Sequence, residues 1–499
     1  MSESKTTSQR VVVIGSGPAG AAAALFLSRA GVKPLILEAG EQQRLGLCVR
    51  VRGVTLGKAK PRLHQREGLT RLGDPRTEVY EALAPGGLSN HWSCAVPRFS
   101  AEDFADGRRS GEDQTWPIEY ADLEPWYDRV EPLLNIAGGS DSCLQLPAAR
   151  AQHAQRLGRE WEVVQRAADS FGRSVVVLPY ANGATTLVTQ SATAFNAYSQ
   201  LILPALRAGK LDMLHGGEAL RLEWCARARR VVAVSYRDTR TGRVERIACR
   251  AVVLAAGAIN SSQIMLQSQS PDFPKGLGNQ HDVLGRYLND HPLAKVVVDL
   301  DRAVKCFPAC YITRARLDRS EPLYGTGLMQ WSGTGLLLRS LLARRPKRTV
   351  QLGFSVFGTM KSQRENFVAL PANSQPRPER RAQLEISLQH EAAALQALER
   401  GRDDLLQILE QVSWAPKLQV WKVEAPGNSV HYSGGCRMHA DPRFGVVDRY
   451  CRVHAVPNVA IADSSVFTTG PEKNPVLTAM TLAARAGDQL AQDVLRGDV

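Results

Sequence analysis

No stretch of this 499-residue sequence approaches the roughly twenty consecutive apolar residues that a membrane-spanning helix needs, so a helical membrane protein is not expected. The first ten residues are polar and lack the apolar centre of a secretory leader, which makes a cytoplasmic enzyme the expectation. Nine cysteines, an odd number, are scattered. Even the closest pair, Cys306 and Cys310, has no His or Cys partner at ligand spacing, so reduced core or loop thiols are expected and no metal site. Acids are in deficit: 49 Asp and Glu stand against 62 Lys and Arg, a net charge of +13. The bases gather in residues 344–348 and 377–381 and read as a solvated surface, with an anionic substrate, partner or lipid as the sharper reading. Residues 336–348 turn from apolar to basic, which suits a membrane or partner contact less well than a helix packed near a substrate site. No nucleic-acid motif accompanies the charge, so nucleic acid is not expected as a partner.

What is present is concentrated at the start. The run Val11-Val12-Val13-Ile14-Gly15-Ser16-Gly17-Pro18-Ala19-Gly20 is a buried strand entering a glycine-rich turn. An Ala-rich segment, residues 21–30, reads as a helix, and Leu35-Ile36-Leu37-Glu38 as a second strand ending in an acid. Gly15 permits the tight turn, Gly17 lets backbone approach a pyrophosphate, and Gly20 lets helix and strand pack closely. The helix N-terminus faces the phosphate charge. Glu38 stands about twenty residues on, where the ribose hydroxyls of a dinucleotide would lie. The motif alone does not choose between FAD and NAD. Only one complete fingerprint is present; Gly325-Thr326-Gly327 and Gly333-Thr334-Gly335 lack the third glycine and the preceding strand. One fingerprint in a long chain favours tightly held FAD reduced by the substrate itself.

The length exceeds one ordinary core, so two domains are expected. The spacing predicts an aromatic-rich helical segment over 115–134, alternating strands over 211–236 and 247–254, and a buried strand with small-residue turn at Ala251-Val252-Val253-Leu254-Ala255-Ala256-Gly257-Ala258. A helix follows from about Ser261, and this unit can join the sheet of the first fingerprint. Residues 296–430 lack the α/β rhythm and end in a Glu/Leu-rich helix over 380–412, interrupted near Gly401. Residues 371–378 read as a loop. From Gly445 the rhythm returns and closes in a long helix, 476–495.

Four further segments share one pattern: Gly86-Gly87-Leu88-Ser89-Asn90-His91-Trp92, Gly285-Arg286-Tyr287-Leu288 through His291-Pro292, residues 431–438, and Gly445-Val446-Val447-Asp448 through Asn474-Pro475. With the N-terminal fingerprint they resemble the glucose–methanol–choline (GMC) oxidoreductases, FAD-dependent enzymes that mostly oxidise alcohols. Ser89-Asn90-His91-Trp92-Ser93-Cys94-Ala95, Trp116-Pro117 and Tyr127 are most similar to the pyranose oxidase and glycoside oxidase branch. The resemblance implies an α/β chain: a Rossmann-like FAD-binding domain, and a substrate-binding domain built on an antiparallel sheet. Its expected boundaries are 1–90, 186–292 and 436–499 for the FAD-binding domain, 91–185 for a flavin-attachment, lid and connecting segment, and 293–435 for the substrate-binding domain.

Oxidising a carbinol by hydride transfer needs a base for the hydroxyl proton, and imidazole suits that task near neutral pH. The resemblance assigns the base to His431 and the second catalytic position to Asn474, whose amide can donate to the substrate oxygen while Pro475 opens the last helix. Gly434 and Gly435 would carry backbone past the flavin; Gly435 stands where the family usually has Thr. The resemblance also puts Gly87, Ser89, Asn90 and Ser93 at FAD, together with Ala256, Gly257, Asp463 and Ser464. Glu218 and Ala219 are placed on the strand that passes the adenine. His91 is either bonded covalently to the flavin or packed against its dimethylbenzene edge. His215, His291, His439 and His454 carry no such assignment and are expected to be structural. The expected reaction takes a secondary ring hydroxyl of a sugar or glycoside to a ketone, with oxygen, a quinone or a protein as electron acceptor. A hydroxyl on a natural-product intermediate, a non-redox flavin lyase or decarboxylase, and a non-catalytic flavoprotein subunit are the alternatives; a homo-oligomer is left open.

Overall fold

The computed structural model describes residues 10–42, 48–51, 54–57, 63–139, 142–183, 186–189, 193–302, 304, 308–314, 325–331, 350–372 and 379–499. The basic run 344–348, the segment 336–348, the glycines at 333 and 335, Cys306 and most of the 371–378 loop lie outside these residues.

Four apolar residues, Val11–Ile14, are too few and too β-branched for a helix and form the centre of a six-stranded sheet. It pairs in parallel with Leu35–Glu38 on one side and Ala251–Leu254 on the other. Asp212–His215 and Val456–Ile461 extend the parallel sheet, and Arg452–Val453 closes one edge antiparallel. Strands buried on both faces need cover on both faces. One face is covered by the helix Pro18–Arg29 and the closing helix Val476–Arg496, which cross at Gly487, where an added Cβ would stand 2.7 Å from the carbonyl oxygen of Ala23. The beginning, middle and end of the chain thus build one sheet. The expected 211–236 strands resolve into Asp212–His215, Gly217–Cys225 and Arg230–Asp238; the helix expected from Ser261 begins earlier, at Ala258, and runs to Gln267. The helix expected within 115–134 spans Tyr120–Val130.

The second sheet is antiparallel throughout, in the order Val175–Val177, Cys310–Ile312, Thr326–Trp331, Val350–Gly358, Leu293–Leu300, Lys417–Val423. Side chains alternate across it with period two. Ala294, Val296, Val298, Leu352, Phe354 and Val356 enter a core with Trp161 and Trp414 beneath the helices Arg159–Asp169 and Ala392–Gln411. Leu293, Lys295, Ser355 and Phe357 face the opposite way, over a cavity.

One expectation is corrected here. The segment 380–412 is not one helix interrupted at Gly401: Leu384–Ser387 is a strand, and the helix Ala392–Gln411 runs unbroken through Gly401. Glycine costs a helix interior roughly 1 kcal/mol relative to alanine, but here it has a packing reason. A Cβ at Gly401 would lie 2.4 Å from Thr326 Oγ1, so only glycine lets the helix meet the sheet this closely.

Candidate active site

A cavity of about 550 Å³ lies between the two sheets and is lined by residues of both. Its first end is built by the glycine turn. Gly15 holds φ +101°, and an added Cβ would strike the Ala255 carbonyl oxygen at 2.5 Å. Gly20 does not line the cavity; its missing Cβ makes room for the Gly15 carbonyl oxygen, 2.1 Å from where that atom would be. Gly17 is different: a Cβ there meets nothing within 4 Å, and the residue lines the cavity. Gly17 is also the N-cap of Pro18–Arg29, so a bare backbone cradle sits at the positive end of a helix dipole. That is the cradle a pyrophosphate requires, and the residues present therefore fit FAD.

Glu38 lines this end, yet its carboxylate is taken by the chain. It accepts from the Ser16 backbone N–H at 3.0 Å, from Ser16 Oγ at 2.5 Å and from the Gly40 N–H at 2.7 Å. Burial, against these bonds, raises its pKa. Ser16 Oγ in turn accepts from the Gly86 N–H, tying the fingerprint to the turn Gly87–Asn90. Asp463 is engaged likewise: it accepts from Gly257 N–H at 2.9 Å, Ser261 Oγ at 2.6 Å and Ser465 N–H at 2.8 Å, and burial raises its pKa. It fixes the glycine turn that opens Ala258–Gln267. Gly87, Ser89, His91, Ser93, Ala219, Ala256, Gly257, Ser464 and Pro475 line the cavity; Asn90 is buried beside it, donating to the Pro85 and Gly87 carbonyls. Arg66 and Arg381 also line it; Arg66 carries no signal in the sequence, whereas Arg381 ends the basic run 377–381. They are paired with Glu81, and Arg381 lies 3.6 Å from Glu218.

The other end holds the reactive groups. His431 and Asn474, 43 residues apart, meet there, with Asn474 Nδ2 at 3.3 Å from His431 Nε2. Pro475, not Asn474, is the N-cap of the closing helix, so the Asn474 amide is free of capping duty. His291, expected to be structural, lies against His431: its Nε2 is 2.6 Å from His431 Nδ1, and its Nδ1 is 2.7 Å from the Pro471 carbonyl oxygen. Its neighbour Asp290 accepts from the His431 backbone N–H at 2.8 Å, from Gly427 N–H at 2.8 Å and from Ser429 Oγ at 2.5 Å. Val430, between them, is held at φ +56°, a conformation a β-branched residue adopts only where its surroundings dictate it. Asp290 thus holds the backbone of His431 and His291 holds its ring. Burial first, then the neighbouring His291 and Lys295, push the His431 pKa well below its ordinary 6.5. Burial likewise lowers that of His291. Phe357 packs on the His431 ring with centroids 5.5 Å apart. Gly434 and Gly435 do not line the cavity; they pack against Tyr287 and Ser262.

Among the described residues no cluster of His, Cys, Asp or Glu fits a metal ion, and no helix is long and apolar enough to cross a membrane.

Comparison with known proteins agrees with this architecture. Profiles described as GMC oxidoreductase match residues 88–293 and 362–483, and one described as FAD binding domain matches residues 8–59. The chain is 26% identical to 6'''-hydroxyparomomycin C oxidase of Streptomyces lividus, over 96% of this chain and 91% of that protein. It is 24% identical to 2-methyl-1,2-propanediol dehydrogenase of Mycolicibacterium austroafricanum, over 97% and 95% respectively. Its fold is similar to that of pyridoxine 4-oxidase from Mesorbium loti, with a TM-score of 0.63 at 16% identity over 96% of this chain and 98% of that one.

Proposed function

The chain belongs to the GMC oxidoreductases and is an FAD-dependent enzyme acting on CH–OH groups, and from that premise we propose that it oxidises a secondary ring hydroxyl of a sugar or glycoside to a ketone with His431 as base. Relatives named as C-glycoside 3-oxidases support the substrate class.

One observation carries the assignment of the base. A carbonyl oxygen only accepts, so the contact with Pro471 puts the proton of His291 on Nδ1. In the neutral ring, favoured by burial, Nε2 of His291 is then an acceptor. The proton between the two rings must therefore sit on His431 Nδ1. That leaves the Nε2 lone pair of His431 facing the Asn474 amide, the place where a substrate hydroxyl would come. The alcohol O–H proton passes to Nε2 while an N–H of Asn474 steadies the negative charge growing on the oxygen. Bound FAD, held by the Gly15–Gly17 cradle and the turns at Gly87 and Gly257, supplies the hydride acceptor for the carbinol carbon. His291 stays hydrogen-bonded to Pro471 throughout and keeps the His431 ring from turning.

The test is anaerobic mixing of the holoenzyme with sugars, glycosides and simple alcohols. Bleaching of the yellow flavin band by a sugar or glycoside is the expected result. Consumption of substrate with the band unchanged would replace this reading by a lyase reaction. Reoxidation of the bleached enzyme by oxygen, a quinone or an electron-transfer protein then identifies the acceptor.

A further inference from the structure

The sheet that roofs the cavity carries two successive cross-strand pairs on its inner face. Leu293 and Phe357 come first, against His431. Lys295 and Ser355 come next, two residues along the strands, or about 7 Å further. We propose that Lys295 and Ser355 form a subsite for a second oxygen of the substrate, so that the chamber takes a neutral or acidic sugar and rejects its amino counterpart; this rests on the reading of the cavity as a carbinol-oxidising site.

The charge layout carries the argument. Among the described residues every carboxylate lining the cavity already has its donors: Glu38 has Ser16 and Gly40, Glu81 has Arg381, Glu218 has Arg237, and Asp463 has Gly257, Ser261 and Ser465. The cations Arg66 and Arg381 are paired in the same cluster. Lys295 stands apart. Among the described residues its one hydrogen bond goes to Ser355 Oγ, at 3.1 Å, and no carboxylate is bonded to it. The acid whose charge acts on it, Glu424, is bonded at 2.8 Å to Lys422, which lies directly across from Lys295 on the edge strand. Burial, partly offset by Glu424 and reinforced by Lys422, lowers the Lys295 pKa, as expected of an ammonium with too few acceptors.

An ammonium has three donors, and Lys295 leaves donors open beside a hydroxyl that can both give and accept. Such a pair binds a sugar hydroxyl or a carboxylate, and a substrate ammonium meets like charge there. The intervening Leu293 and Phe357 offer an apolar surface to the face of the ring. Phe357, whose ring packs on His431, and Ser355 stand two residues apart along one strand, about 7 Å, the scale of one sugar ring, so one monosaccharide unit would meet both His431 and Lys295.

The experiment compares D-glucose, D-glucuronate and 6-amino-6-deoxy-D-glucose, identical except for one substituent. Dissociation constants come from anaerobic equilibrium dialysis of the holoenzyme. Wild type is expected to bind the first two at least about tenfold more tightly than the amine, the scale of one charge-assisted hydrogen bond. Lys295→Met should weaken both about tenfold and close most of the gap, Ser355→Ala should weaken them less, and Lys295→Arg should restore the order. Equal binding of all three by wild type, no binding of any, or constants unchanged in Lys295→Met would overturn the subsite. If the order appears but no alcohol bleaches the flavin, the redox reading fails and the subsite stands. If a sugar bleaches the flavin without the order, the subsite fails and the redox reading stands.

Discussion

At the scale of single residues, the proposed base stands out in its motif and the groups that hold it do not. His431 sits in a glycine-rich segment that marks it out, but His291 precedes it by 140 residues and meets it only in the folded chain. A lone histidine before proline has no periodicity or spacing that could announce such a contact. His431→Ala should slow anaerobic flavin bleaching by a factor on the order of 10²–10⁴ with FAD content retained, the usual contribution of a positioned base; a loss of FAD together with rate would mean a structural role instead. Because the His431 pKa is lowered, the neutral base persists below its ordinary 6.5. The acid limb of kcat/KM should therefore lie below pH 6.5, with activity falling only as pH drops through that lowered value. A limb above pH 6.5 would contradict the burial argument. His291→Leu strands the Nδ1 proton of His431 and frees the ring, and kcat should drop about tenfold or more while KM hardly moves. His291→Gln keeps an acceptor at that place and should recover most of kcat, a rescue that packing alone does not predict.

At the scale of elements, the parallel sheet was readable because its central strands Val11–Ile14 and Ala251–Leu254 are unbroken apolar runs beside turn residues. The antiparallel roof sheet was expected from the resemblance alone. Leu293–Leu300 buries Ala294, Val296, Val298 and Leu300 in a core and turns Leu293 and Lys295 to the cavity, but apolar Leu293 and Val297 share the face of Lys295 and Asp299, so the two polar residues leave no clean alternation to read. Gly401 misled in the opposite direction, since a glycine that admits Thr326 resembles one that ends a helix. The fingerprint itself offers a sharper test, because its glycines are required for different reasons. Gly20→Ala forces a methyl onto the Gly15 carbonyl and should destabilise the fold by about 1–3 kcal/mol, the cost of overpacking. Gly17→Ala meets no protein atom and should leave the melting temperature of the apoprotein unchanged. The same methyl projects into the phosphate cradle, so FAD affinity measured by fluorescence titration should fall at least about tenfold. Equal FAD affinity in Gly17→Ala and wild type would remove the cradle from the argument.

At the scale of the whole molecule, two cores must be held in register for His431, carried between them, to face Asn474. The join is a buried charge cluster. Arg314, just beyond the strand Cys310–Ile312, is fully buried, with Nη1 at 2.7 Å from Asp106 and Nη2 at 3.7 Å from Asp103, on the helix Ala101–Ser110. Its Nε lies 3.8 Å from Glu472, and Lys473 bonds Asp103. Glu472 and Lys473 lead directly into Asn474 and the closing helix, so the cluster links the roof sheet to the Asn474 amide. Burial alone would raise the Glu472 pKa, but Lys473 and Arg314 overcome it and hold it at about 2. Asp106 goes the other way, raised by burial despite Arg314. Arg314→Met leaves Asp106 without its buried cation and Asp103 and Glu472 with Lys473 alone, and should cost about 3–5 kcal/mol at pH 7, the range for breaking a buried pair. The pH dependence follows from the depressed acid. Its unfolded value is 4.5, so the stabilisation is complete above pH 4.5 and is lost as pH falls toward 2. Denaturant unfolding of wild type and variant should thus differ fully at pH 7 and converge below pH 4.5. Because Asn474 hangs from the same segment, flavin reduction should slow in the variant even where FAD remains bound; undiminished reduction would mean that the cluster stabilises the join without aiming the amide.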